Sequence, residues 1–134
     1  MKQVVFALTI SILFLTACMD EVTKEDEVQL SDLKEHNMKI VPENPTRNDT
    51  VKLIVYDDCT YNVLSGVTRK GETIDIQKQF NSMMKWPCIP TNDTILIGKL
   101  PEGSYIVNYK LLDVSTQASN PVALSFSFNL LVSQ

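Results

Sequence analysis

The 134-residue sequence predicts an all-β fold, a two-layered sandwich of about seven strands, on three observations. From Met38 onward, apolar residues recur at every second position in short runs, the period of a half-buried strand. Gly, Pro, Asn and Asp separate those runs at short intervals, as tight turns require. No convincing helix interrupts the series, and strands without helices bury their apolar faces by stacking one sheet on another.

Each run can be justified in turn. Met38–Val41 is the first strand and stops at Pro42, whose ring removes a ladder donor. Asn44-Pro45-Thr46-Arg47-Asn48-Asp49 is a turn cluster. Thr50–Tyr56 alternates cleanly and puts Val51, Leu53 and Val55 on one face. Asn62–Arg69 and Thr73–Phe80 flank Lys70-Gly71 and read as a hairpin. A long loop from Asn81 to Asn92 contains Trp86-Pro87-Cys88. Asp93–Lys99 is the next strand, and Leu100-Pro101-Glu102-Gly103 turns the chain. Ser104–Leu112 alternates Tyr105, Val107, Tyr109 and Leu111. A polar loop runs to Pro121, after which Val122–Val132 alternates Val122, Leu124, Phe126, Phe128 and Leu130.

Within this series, Leu100-Pro101-Glu102-Gly103-Ser104-Tyr105 resembles the tyrosine corner of immunoglobulin-like domains. There a strand-ending leucine and a glycine turn precede a tyrosine whose hydroxyl bonds back to the backbone just upstream. The resemblance covers residues 38–134 and implies an immunoglobulin-like β-sandwich, with Leu100, Gly103 and Tyr105 forming the corner. The cysteines depart from the antibody pattern, where the bond joins strands B and F through the core. Here Cys59 follows the second strand and Cys88 precedes the fifth, so a bond between them would tie two loops.

Upstream of the sandwich the composition changes. Met1-Lys2 is a short positive start, and Val4–Leu15 is almost wholly apolar. At about 1.5 Å per residue that run is too short for a hydrocarbon core of roughly 30 Å. These are the parts of a secretory signal peptide, residues 1–17. Leu15-Thr16-Ala17-Cys18 resembles the lipobox of bacterial lipoproteins. The resemblance implies cleavage before Cys18, diacylglyceryl transfer to its thiol and acylation of the new amino terminus. Two or three acyl chains, at about 0.8 kcal/mol per buried CH₂, would hold the protein on a bilayer. The expected address is the bacterial envelope, at the outer membrane, on its periplasmic or its surface face.

Residues 18–37 are then an acidic tether. Seven carboxylates (Asp20, Glu21, Glu25, Asp26, Glu27, Asp32, Glu35) stand against Lys24 and Lys34, without a sustained apolar period. Asp20 and Glu21 also resemble a surface-export signal of lipoproteins in one branch of Gram-negative bacteria, and a solvated spacer explains them equally well. The formal net charge is −4 with no basic patch, which argues against nucleic acid and against electrostatic adhesion to anionic lipid. The remaining hundred or so residues suffice for one domain with one core.

Of three cysteines, lipidation of Cys18 leaves Cys59 and Cys88 as one possible pair, which an oxidising envelope permits. Closing that loop would stabilise the fold by roughly 3.5 kcal/mol. Two cysteines without a neighbouring His are poor metal ligands. His36 is the only histidine and lies in the tether, so serine and cysteine nucleophiles lack a histidine base. No phosphate-cradling glycine pattern occurs. Asp57-Asp58 reads as a polar turn in preference to a calcium site. No enzyme, cofactor or metal is expected.

A binding module is expected instead. In an immunoglobulin-like order the loops after the second, fourth and sixth strands share one end. A Cys59–Cys88 bond would gather Tyr56, Tyr61, Met83, Met84 and Trp86 on that rim. Loop aromatics are common anchors for proteins and sugars. Against this, Trp86 packing over the disulfide would simply cap the core, and that reading is favoured. The unidentified partner is an envelope protein or glycan. The alternative is a structural subunit whose long last strand pairs with a neighbour along its edge. Asp49-Thr50-Val51 and Asp93-Thr94-Ile95 also resemble Asp-Thr-apolar acceptors of O-glycosylation, although a strand-opening threonine explains both.

Overall fold

In the computed structural model, residues 33–59, 62–84, 87–115 and 121–134 are described. Seven strands follow one another: β1 Met38–Val41, β2 Thr50–Asp58, β3 Asn62–Lys70, β4 Thr73–Phe80, β5 Thr91–Lys99, β6 Gly103–Asp113 and β7 Val122–Val132. They make an all-β sandwich. A three-stranded sheet in the order β1-β2-β5 faces a four-stranded sheet in the order β3-β4-β6-β7.

The two inner faces are the alternating residues read from the sequence. Met38, Ile40, Val51, Leu53, Val55 and Ile95 line one sheet. Ile74, Ile76, Tyr105, Val107, Tyr109, Phe128, Leu130 and Val132 line the other. Val51, Leu53, Ile74 and Val107 are wholly buried. Each such aliphatic side chain contributes about 1.5–3 kcal/mol relative to exposure. The period of two explains why the outward neighbours, such as Lys52, Ile106 and Leu131, are exposed.

The four-stranded sheet departs from the constant-type immunoglobulin order, in which the fourth strand stays with the first sheet. Here β4 lies between β3 and β6 and runs parallel to β6, from Thr73↔Ile106 to Phe80↔Asp113. A parallel pair needs a long crossover, and β5, on the opposite sheet, supplies it. The two hairpin strands suit the places they take in the sheet. β4 presents Ile74 and Ile76 inward, fully buried, and needs neighbours on both sides. β3 has exposed Ser65, Thr68, Arg69 and Lys70, as a solvent-facing edge should. Gly71 at φ 61° closes the hairpin in a conformation that costs glycine little.

The other edges are β1, β5 and β7. After the cis Val41-Pro42 bond the chain crosses to the far sheet. Thr46 there bridges Ser133 in parallel, with Arg47 N donating to Ser133 O at 2.9 Å and Ser133 N to Pro45 O at 3.0 Å. The turn is braced by Asp49, whose carboxylate accepts from Thr46 N at 2.8 Å and Thr46 Oγ1 at 2.7 Å. The sandwich also begins earlier than Met38. Residues 33–35 form a helical turn and Leu33 is buried in the core, so the last five residues assigned to the tether belong to the domain. Leu33 is apolar and sits where the interior would otherwise open between β1 and β7.

Candidate functional site

One end of the sandwich collects the polar chemistry, and a bulge in β2 prepares it. Val51, Leu53 and Val55 point inward, so strict alternation would send Asp57 inward too. Between Val55 and Asp58 the register with β5 shifts, and Asp57 takes φ 50°. The extra residue flips the face on which later side chains fall. Asp57 is exposed in consequence, and the Asp58 side chain is turned inside with 7% of it accessible.

Across the interior, alternation along β4 carries Ile74, Ile76 and then Lys78 inward. Lys78 is wholly buried. Along β5 the same period places Asp93 on the face of Ile95. Lys78 Nζ pairs with Asp58 Oδ2 and, at 3.1 Å, with Asp93 Oδ2. A buried ammonium without partners would cost several kcal/mol, and two carboxylates from the opposite sheet offset that cost. Burial pushes the Lys78 amine below its usual value, while Asp93 pushes it back up. Tyr109, buried on β6, is pushed up to about 12, mainly by burial and further by the Asp93 carboxylate.

Just outside this cluster, Cys59 and Cys88 are joined, with Cα atoms 5.0 Å apart. The bond ties the β2–β3 loop to the β4–β5 loop. The β6–β7 loop is tied in by Val114 N donating to Phe80 O at 2.8 Å. Asp113 accepts from Ser82 N at 3.1 Å and Ser115 N at 2.9 Å. Hydrogen bonds from the Ser82 hydroxyl and from these amides hold the Asp113 carboxyl down to about 2. Three loops therefore share this end.

Of the expected rim residues, Tyr61 and Trp86 lie outside the described residues. Met83 and Met84 are exposed on the β4–β5 loop, as is Ile89. Tyr56 instead lines a groove of about 500 Å³ along the seam between β1 and β7, with Leu33, Met38, Ile40, Phe128 and Leu130. β1 and β7 are the terminal strands of their sheets, so the groove is bounded by two strand edges. Cys18 also lies outside the described residues. His36 stacks on Phe126 with ring centroids 4.4 Å apart, and so belongs to the packing of the domain.

At the opposite end, Tyr105 donates its hydroxyl hydrogen to Pro101 O at 2.8 Å, four residues upstream. Leu100 is buried beneath it, and Gly103 opens β6 at φ 153°, a conformation side chains rarely adopt. Arg69 covers the tyrosine, its guanidinium 5.1 Å from the ring centroid. This is the backbone closure expected of the corner. Thr50 and Thr94, of the two Asp-Thr segments, are both exposed.

The reading from sequence missed the Lys78–Asp58–Asp93 cluster. Its signal was present in part, because the inward period of β4 and β5 reaches Lys78 and Asp93. The bulge that turns Asp58 inward carries no comparable signal. Among the described residues no group of three or more His, Cys, Asp or Glu is placed to hold a metal. No helix among them is long and apolar enough to cross a membrane. Comparison with protein-family models, curated proteins and solved structures finds no match for this chain.

Proposed function

We propose that the chain is a lipoprotein of the bacterial envelope, anchored through Cys18, whose sandwich binds a neighbouring envelope protein without catalysing a reaction. The seam between β1 and β7 carries this reading. It is an apolar groove flanked by two strand edges, and such an edge recognises an extended peptide through backbone hydrogen bonds and alternate side-chain pockets. The partner it fits is an extended segment with apolar residues at every second position, filling the space over Met38, Ile40, Phe128 and Leu130. A sugar, which offers no strand to pair, fits this seam less well. The lone histidine, stacked on Phe126, supports binding over acid–base chemistry.

A second reading rests on the loop end. Met83, Met84 and Ile89 are each exposed on the β4–β5 loop, and flexible methionines adapt readily to a partner's surface. A photo-crosslinking residue placed at Leu131 in one variant and at Met84 in another separates the two in intact cells. Adducts to one protein from Leu131 support the seam, and adducts from Met84 alone transfer the function to the rim. Adducts from neither refute both. Fatty-acid labelling tests the anchor: a Cys18→Ser protein labelled as strongly as the parent would overturn it.

A further inference from the structure

Lys78 is the one charged side chain among the described residues that is wholly buried, and it meets two carboxylates where one would neutralise it. Asp58 comes from β2 on one sheet, Lys78 from β4 on the other, and Asp93 from β5 stands beside them. We propose that this cluster is a self-modification site, in which Lys78 Nζ and Asp58 Cγ join in an intramolecular amide bond while Asp93 relays the protons. The inference is independent of the proposed partner and of the lipid anchor.

The chemistry follows from the surroundings. Two packed sheets hold the amine against the carboxyl group, so the encounter needs no diffusion and effective concentrations are very high. A dry interior disfavours separated charges, and burial already lowers the proton affinity of Lys78. Transfer of one proton from the ammonium to the Asp58 carboxylate leaves a neutral amine facing a neutral carboxylic acid. The Nζ lone pair then attacks Cγ and forms the N–C bond. Asp93, 3.1 Å from Nζ, takes a proton from the attacking nitrogen. It returns that proton to the departing hydroxyl as the Cγ–O bond breaks. One water leaves, the carbonyl re-forms, and Asp93 ends as it began. No oxidant, metal or cofactor enters the balance.

The product would join the two sheets covalently through the core, one residue from Cys59. Among the described residues, the strand ladders run only within each sheet. The amide would therefore resist separation of the layers, and reducing agents would leave it intact.

The test is peptide mapping of the protein purified from whole cells, reduced, alkylated and digested with trypsin. Trypsin does not cut after an acylated lysine. The expected result is a branched species, residues 53–69 joined to 71–85, lighter than the two peptides together by one water. Its fragment ions should place the join at Asp58 and Lys78. Asp58→Ala and Lys78→Arg should each abolish it. Asp93→Asn, which keeps both ends, should slow joining by about a hundredfold, the usual scale of a lost acid–base group. Recovery of 71–78 and 53–69 as separate linear peptides from the folded parent protein would overturn the proposal, whatever the variants do. Undiminished joining in Asp93→Asn would remove Asp93 from the mechanism.

Discussion

The substitution Lys78→Met probes the buried cluster most directly. Methionine matches the lysine stem in length and flexibility, so little cavity opens and the loss is electrostatic. What remains is Asp58, with 7% of its side chain accessible, and Asp93, with 26%. Breaking a buried ion pair by removing one partner costs about 3–5 kcal/mol. Asp93 regains some water, so the lower end of that range applies, about 3 kcal/mol. With a urea m-value of about 1.5 kcal/mol/M for a domain of this size, the unfolding midpoint should fall by about 2 M. Equilibrium unfolding followed by circular dichroism measures this. Lys78→Met/Asp58→Leu removes the most buried pair and leaves only Asp93, 26% accessible, so it should recover much of the electrostatic share, because an apolar pair replaces a buried ionic one at little cost. In a parent joined by the amide proposed above, Lys78→Met loses that bond in place of the ion pair, and the direction of each result is unchanged. A single variant within about 0.5 kcal/mol of the parent would refute the reasoning. So would a double variant no more stable than the single.

Other expectations follow from named contacts. Tyr105→Phe deletes the 2.8 Å bond to Pro101 O and should cost about 1 kcal/mol, a fall in Tm of about 4–8 °C in a thermal melt. Cys59→Ser/Cys88→Ser opens a tie between residues 29 apart and should cost about 3.5 kcal/mol, with dithiothreitol producing the same shift in the parent and none in the variant. Tyr109 ionises near 10 when unfolded and at about 12 when folded, so folding favours its neutral form. Its contribution is complete below pH 10 and should be lost between pH 10 and about 12. The loss should amount to roughly 2–3 kcal/mol and be absent from Tyr109→Phe when midpoints are measured across that range.

Much of the strand plan was legible because its signal is local. Met38–Val41, Thr73–Phe80 and Val122–Val132 run as the alternation indicated, and β5, β6 and the end of β2 exceed their expected bounds by one or two residues. Ladders continue past the last clearly alternating residue when a neighbour strand is there to pair. The tyrosine corner was legible for the same reason, since its parts lie within six residues. The start of the domain was harder to read: Leu33 is a single apolar residue in an acidic stretch, and only the open seam it fills gives it a place in the core.

The site divides in the same way. Period two sends Lys78 and Asp93 to the inward faces of β4 and β5, and this needs no coordinates. Three matters depended on the assembled fold. The bulge at Asp57 turns Asp58 inward, because a ladder shift is set by the partner strand as much as by the residue itself. β4 takes the central place beside β6 because the choice between two hairpin strands depends on which face the whole sheet must cover. The groove between β1 and β7 arises because they end two different sheets and no ladder joins them, which leaves a seam between Met38 and Ile40 on one side and Phe128 and Leu130 on the other. Alternation along a chain is a property of each strand alone, whereas edges, bulges and the meeting of opposite charges are properties of strands in company.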